Sequence, residues 1–276
     1  MHISVTFTDD PARVLTEAHD FLASEPVHHN VILTLLHTRV AHPEPGRYWT
    51  ATDGGRTVGV VFQSPLTYHA TITPMPPEAV VALVDAVADA GVALPGVIGD
   101  AATAARFAGQ WTERHKSAAT PYEGQRIYEV RDVQDDPTAS GHLRQAVAAD
   151  RDVVVAWWRA FQAEVGEGAA ATDAGRAVDQ RLPAGQLWLW DDGDPVSLAG
   201  ASAPVEGVAR IGPVYTPPET RGRGYAAACV AALSKQVLAG GHRCILYTEL
   251  GNSTSNFIYR RIGYRAVAEV LRYRFA

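Results

Sequence analysis

Two stretches of this chain combine residue types suited to holding a phosphate and moving a proton. The first is Arg221-Gly-Arg-Gly224 with Tyr225 and Ala226, at the head of an apolar segment from Ala227 to Ala239 that meets Gly240-Gly241. That segment reads as a helix ending at residues that tolerate a left-handed cap. The first four N–H groups of a helix lack intrahelical partners, and the macrodipole adds partial positive charge there. From Tyr225 to Ala228 no acidic residue supplies the complementary charge, while Arg221 and Arg223 add more of the same sign. The end is set for an anion from outside the chain, most simply a phosphate. An ordinary strand–helix turn, with glycines for tight packing, would show the same residues. The second stretch is Asn252-Ser-Thr-Ser-Asn-Phe-Ile-Tyr259-Arg-Arg-Ile-Gly263-Tyr264. Asn252 is a good N-cap, and Tyr259 at helical spacing behind it also fits a core aromatic.

Strands must position both stretches. Val208–Thr216 reads as a strand that loses its ladder at Pro217-Pro218, because proline brings no N–H. Arg243–Leu250 is the next strand after the helix. Gln186–Trp190 and Pro195–Ala203 alternate across the Asp191–Asp194 turn, and His142–Ala146 reads as a strand before them. A helix follows Asp150 through Val153, Val154, Trp157, Trp158 and Phe161, and a second, short one covers Asp173–Arg181. The two tryptophans fit a buried helix face better than a ligand platform. Glu164–Thr172 is a Gly- and Ala-rich loop. The pattern gives a mixed α/β sheet with one parallel step.

With both motifs in order, each after a strand and each opening a helix, residues from about Gly141 onward resemble the GNAT family of N-acetyltransferases. Arg221-x-x-Gly224-x-Ala226 is similar to its acyl-CoA signature, and Asn252…Tyr259…Gly263-Tyr264 to its second one. The resemblance implies that acetyl-CoA lies in a V where Val208–Thr216 and Arg243–Leu250 splay apart. Val214, Tyr215 and Thr216 would contact pantetheine and acetyl through backbone groups. Arg221, Gly222, Arg223, Gly224, Tyr225 and Ala226 would hold the pyrophosphate. Asn252 would be a further cofactor contact, and Tyr259 would protonate the departing thiolate. The implied reaction is direct attack of an amine on the thioester. Glu249 is the candidate base through water, with a solvated strand end as its plainer reading, and Glu219 is a weaker alternative.

The first half repeats the order in degenerate form. Helices over Pro11–Ser24 and His29–Arg39 precede strands at Arg47–Thr52, Thr57–Gln63 and Tyr68–Thr73. A helix at Glu78–Asp89, a strand at Gly96–Gly99, a helix at Ala101–Trp111 and a strand at Ile127–Val133 follow. Met75-Pro-Pro-Glu-Ala79 echoes Thr216-Pro-Pro-Glu-Thr220, but Val80-Val-Ala-Leu83 stands where Arg221–Gly224 does. Residues 1–134 therefore resemble a GNAT domain without a phosphate cradle, and residues 141–276 the catalytic one. An unrelated α/β domain sharing short motifs would read similarly. The polar, proline-broken stretch from Arg131 to Gly141 is the linker.

The whole is an α/β chain of tandem GNAT-like domains. Its 276 residues, 47% hydrophobic and 20% charged, suffice for two cores, and a net charge of −6 lacks the footprint of a nucleic-acid binder. Cys229 and Cys244 lie in apolar segments, which fits buried thiols in the reducing cytoplasm. No signal peptide and no apolar run of about eighteen residues occur, so no membrane partner is expected. The histidines match no ligand spacing, so no metal is expected. The expected function is acetyl transfer from acetyl-CoA, as co-substrate, to a primary amine of a small molecule or peptide. A non-catalytic acyl-CoA sensor is the alternative, and a homodimer stays open.

Overall fold

A computed structural model describes residues 2–134, 139–165 and 173–276. Part of the linker and most of the Glu164–Thr172 loop lie outside these. The chain divides into two compact units. The first comprises Met1–Arg126, Glu249–Gly251 and Ala268–Ala276, and the second Ile127–Thr248 and Asn252–Val267.

In the first unit, β1 (Ile3–Thr8), β2 (Arg47–Asp53), β3 (Arg56–Gln63) and β4 (Ala70–Ile72) form an antiparallel meander. Strand β1 is absent from the sequence-based order, although Ile3, Val5 and Phe7 alternate with Ser4, Thr6 and Thr8. The expected single helix over Pro11–Ser24 is α1 (Pro11–Glu17) and α2 (His19–Ser24), broken where Ala18 leaves helical geometry, and α3 is Asn30–Ala41. Helix α4 (Pro77–Asp89) carries the chain from β4 to β5 (Gly96–Asp100), which runs parallel to β4. Helix α5 (Ala101–His115) is capped by Asp100 and ends four residues later than expected, at a left-handed Lys116. Strand β6 (Ala119–Val130) begins well before the expected Ile127. The face bearing Trp49, Ala51, Val61, Ala70 and Ile72 packs on α4 and α5, because strand side chains alternate between faces.

The second unit runs β7 (His142–Gln145), α6 (Arg151–Glu164), α7 (Ala174–Arg181), β8 (Leu187–Asp191), β9 (Pro195–Ala201) and β10 (Val208–Tyr215). Helix α8 (Tyr225–Ala239) then leads to β11 (Arg243–Glu249), parallel to β10, and α9 (Ser253–Ile262) to β12 (Arg265–Phe275). Strands β7 to β10 are antiparallel neighbours. One face carries α8 and α9 over Ala199, Ile211, Cys244 and Leu246, and the other carries α6 and α7 over Leu187, Leu189 and Leu198. The end of β12 belongs to the first unit, where Val270 to Arg274 pair antiparallel with Asp100 to Gly96.

Candidate active site

The parallel ladder between β10 and β11 runs from Val208↔Arg243 to Ile211↔Leu246 and stops there. Strand β10 nevertheless continues to Tyr215. On its other edge β10 shifts register against β9 between Ile211 and Val214, and Pro213 in that bulge has no N–H to donate. A bulge bends its strand and ends regular pairing. Gly212 to Tyr215 are thereby separated from the β11 ladder.

After a single 3-10 turn at Pro218–Thr220, the chain enters the glycine-rich stretch. Gly222 takes φ +78° and Gly224, the residue before α8, φ +83°. These left-handed conformations favour glycine, and a Cβ placed on Gly222 would meet nothing within 4 Å. No side chain caps α8, and its first turn has no acidic residue. Bare amides, a dipole and open space at Gly222 fit the phosphate group expected there.

The side chains around the cradle are otherwise engaged. Arg221 donates from Nε to the Thr216 carbonyl at 2.8 Å and pairs with Glu164 at 2.6 Å. Its guanidinium lies 5.7 Å from the Tyr215 ring centroid. Tyr225 is buried and donates its hydroxyl to Asp192 at 2.6 Å, so only its backbone faces the cradle role. That bond, a second from Ser140 and the charge of Arg223 hold the Asp192 carboxyl below its ordinary range. Thr216 Oγ1 meets Ser197 Oγ at 2.8 Å, and Ser197 also donates to the Tyr215 carbonyl. Val214 packs against the α8 core.

Asn252 caps α9, its side chain accepting from the Ser255 amide at 2.9 Å. Tyr259 is 8% exposed and shares one cluster with Tyr225, Ile211 and Leu246, with the Tyr264 ring 6.0 Å away. Burial pushes its hydroxyl up to about 12, partly opposed by a hydrogen bond with Ser255. Glu249 lies in the first unit, where its carboxylate accepts from Gln125 Nε2 at 2.8 Å. The second unit thus brings together the cradle, the end of β10 that leaves the β11 ladder, and Tyr259, and Glu249 is grouped elsewhere.

Both cysteines are buried. Burial raises the Cys244 thiol and pushes Cys229 up to about 12, which disfavours the thiolate that a nucleophilic cysteine needs. Among the described residues no three ligand-type side chains gather to hold a metal. Two features escaped the sequence reading. Asn256, 2% exposed, accepts from the Tyr128 hydroxyl at 2.9 Å and donates to the Asn252 carbonyl at 2.7 Å, which ties the α9 start to β6. Its signal was a polar residue at i+4 from the cap. Arg181 donates to the Gly212 carbonyl at 3.0 Å, a contact between residues far apart in the chain that no local pattern announces.

The fold is that of the GNAT acetyltransferases. A GNAT-family acetyltransferase from Colwellia psychrerythraea superposes over 100% of both chains, with a TM-score of 0.65 and 10% identity. A GCN5-related N-acetyltransferase from Sphaerobacter thermophilus aligns over 99% of this chain and 95% of its own, with a TM-score of 0.66 and 15% identity. A tandem GNAT protein from the clavulanic acid biosynthesis pathway covers 100% of this chain and 98% of its own, at a TM-score of 0.58 and 12% identity, and supports the two-domain description. By sequence, residues 192–273 match the family model of FR47-like proteins. No curated protein matches the sequence.

Proposed function

We propose that this chain transfers an acetyl group from acetyl-CoA to a primary amine, and that residues 141–276 form the catalytic domain. The observation that carries the reading is the parting of β10 from β11 beside a helix N-terminus with glycines of positive φ and no acid of its own. The backbone amides from Arg221 to Ala226 hold the pyrophosphate, and Val214, Tyr215 and Thr216 meet pantetheine and acetyl through their backbone. Asn252 adds a contact at the start of α9. Amide groups aimed at the acetyl carbonyl stabilise the negative charge that builds on its oxygen during attack.

The amine nitrogen bonds to the carbonyl carbon, the carbon–sulfur bond breaks, and the proton lost by nitrogen ends on sulfur. Tyr259 donates a hydrogen bond to that sulfur. Its hydroxyl, with a pKa of about 12, stays protonated at neutral pH. It is a weaker acid than a thiol near 8.5, so it stabilises the thiolate as a donor and keeps its own proton. The amine attacks as the free base, its ammonium proton having left to solvent, and Glu249, held by Gln125 in the first unit, is assigned no step. Residues 1–134, read as a degenerate GNAT domain, bind no acyl-CoA.

Thiol release from acetyl-CoA, measured with a panel of primary amines, tests the reading. Amine-dependent release with matching N-acetylated product is the expected result. Tight CoA binding with no release for any amine would replace transfer by the acyl-CoA sensor.

A further inference from the structure

Two cations flank the place where β10 and β11 part, on the sheet face that carries α6 and α7. Arg181, the last residue of α7, reaches Gly212, the first β10 residue beyond the ladder, at 3.0 Å, and lies 5.2 Å from the Trp158 ring centroid. Arg210 sits 5.8 Å from the ring of Tyr247, the first β11 residue beyond the ladder. All four side chains are partly exposed. Room for the Arg181 guanidinium comes from Gly200, where a Cβ would stand 2.9 Å from Nη2.

Neither guanidinium has a carboxylate at ion-pair distance among the described residues. Some other arginines of the unit do: Arg144 pairs with Asp150 and Asp191, Arg151 with Asp179 and Arg243 with Glu129. A guanidinium carries five donors in a planar fork that matches carboxylate and phosphate oxygens. Among the described residues the Arg181 side chain makes one hydrogen bond, to a neutral carbonyl, which leaves most of that capacity unused and no carboxylate opposite its charge. Burial and the nearby charge of Arg210 pull Arg181 down to about 10, the response of a cation that lacks a counter-ion.

We infer that the acceptor amine carries an oxyanion, a carboxylate or a phosphate monoester, bound by Arg181 and Arg210 beside the parted strands. This rests on the transfer reading, since only there does a second substrate enter next to the acyl group. A purely structural Arg181, bracing the β10 bulge through Gly212, would show no preference among small anions. The charge pattern separates the two, because a brace needs one donor and gains nothing from a second unpaired arginine.

The test is calorimetry on the full chain with matched amines: glycine, γ-aminobutyrate, phenylalanine and lysine against their amides, and phosphoethanolamine against ethanolamine. CoA is titrated in parallel. At least one acid or phosphate should bind about tenfold or more tightly than its neutral partner, the effect of a charge-assisted hydrogen bond. A preference confined to the acids or to phosphoethanolamine identifies the oxyanion. Arg210→Gln and Arg181→Gln should each reduce the preference below about threefold with CoA affinity unchanged. If Arg181→Gln fails to fold, the partly exposed Arg210→Gln decides. No preference across the panel, or one that survives Arg210→Gln, overturns the inference. Loss of CoA binding by the wild-type chain with the anion preference intact would instead defeat the transfer reading.

Discussion

The same Pro-Pro-Glu phrase stands at the start of α4 and shortly before α8, and the two helix starts differ in kind. In the first unit Pro76 precedes α4, Pro77 opens it and Glu78 stands in its first turn. The proline removes one orphan N–H and the glutamate complements the dipole, so the helix is satisfied from within. In the second unit the phrase spends itself on a 3-10 turn, and Arg221 to Gly224 intervene before α8 starts with no acid. The strands differ in the same sense. All three residues of β4 pair with β5, and a Cβ on Gly99 would stand 2.8 Å from the Ile72 carbonyl, so that junction is closed. Strand β10 outruns its ladder with β11. Four interposed residues and a bulge are thus the difference between a helix start that serves folding and one that can serve a ligand.

Giving α8 the acid that α4 owns should erase the difference. Ala226→Glu places a carboxylate in the first turn of α8, which favours the helix by about 0.3–1 kcal/mol and repels a phosphate. We expect CoA affinity to fall about 10²-fold, in line with the cost of facing like charges, while the melting temperature holds or rises. Unchanged affinity in calorimetry would show that the cradle lies elsewhere.

A second substitution sharpens the role of the buried tyrosine. Tyr259→Phe keeps the ring in its cluster and removes only the hydroxyl. Turnover at saturating acetyl-CoA should fall by about 10²-fold, the lower end for losing one hydrogen-bond donor aimed at developing negative charge, with CoA affinity nearly constant. A core tyrosine without a catalytic part would give wild-type turnover per folded molecule beside an altered melting curve.

The smallest effect separates the units by pH. Burial lowers His29 and His69 in the first unit, so the unfolded chain binds more protons and that unit loses stability as pH falls below about 6.5. In the second unit burial raises Cys229, Tyr247 and Tyr259, each to about 12, and raises Cys244 and Tyr264 as well. There the folded state holds protons that the unfolded state releases, and stability is lost as pH rises from about 9 toward 12. Tyr48 and Tyr122 give the first unit a weaker version of the same response. Hydrogen exchange corrected for its intrinsic pH dependence should find the first unit opening first near pH 5 and the second near pH 10.5. The reverse order at either pH would contradict this assignment.

What the sequence made legible was local. The cradle is contiguous, from Arg221 to Ala226, and a helix start advertises itself through glycine, charge and the apolar run behind it. Asn252 and Tyr259 are linked by helical spacing alone. The Ile3–Thr8 alternation is equally local, but six residues of period two do not say which strand they pair with, and the β2 partner lies about forty residues on. The rest depends on pairing between distant residues. Where the β10 ladder ends is set by a bulge and by register, neither of which is written in the strand's own residues. That β12 ends in the first unit, and that Arg181 meets Gly212, follow from contacts across the sequence that composition does not encode. Glu249, singled out by its place at a strand end, likewise owes its partner Gln125 to the fold.

The central claim, one acyl-CoA site formed by the second unit and none by the first, is tested most directly by calorimetric titration of CoA into the intact chain. The account predicts a single class of site at one CoA per polypeptide. Two equivalent sites per chain, or no binding at all, would contradict it.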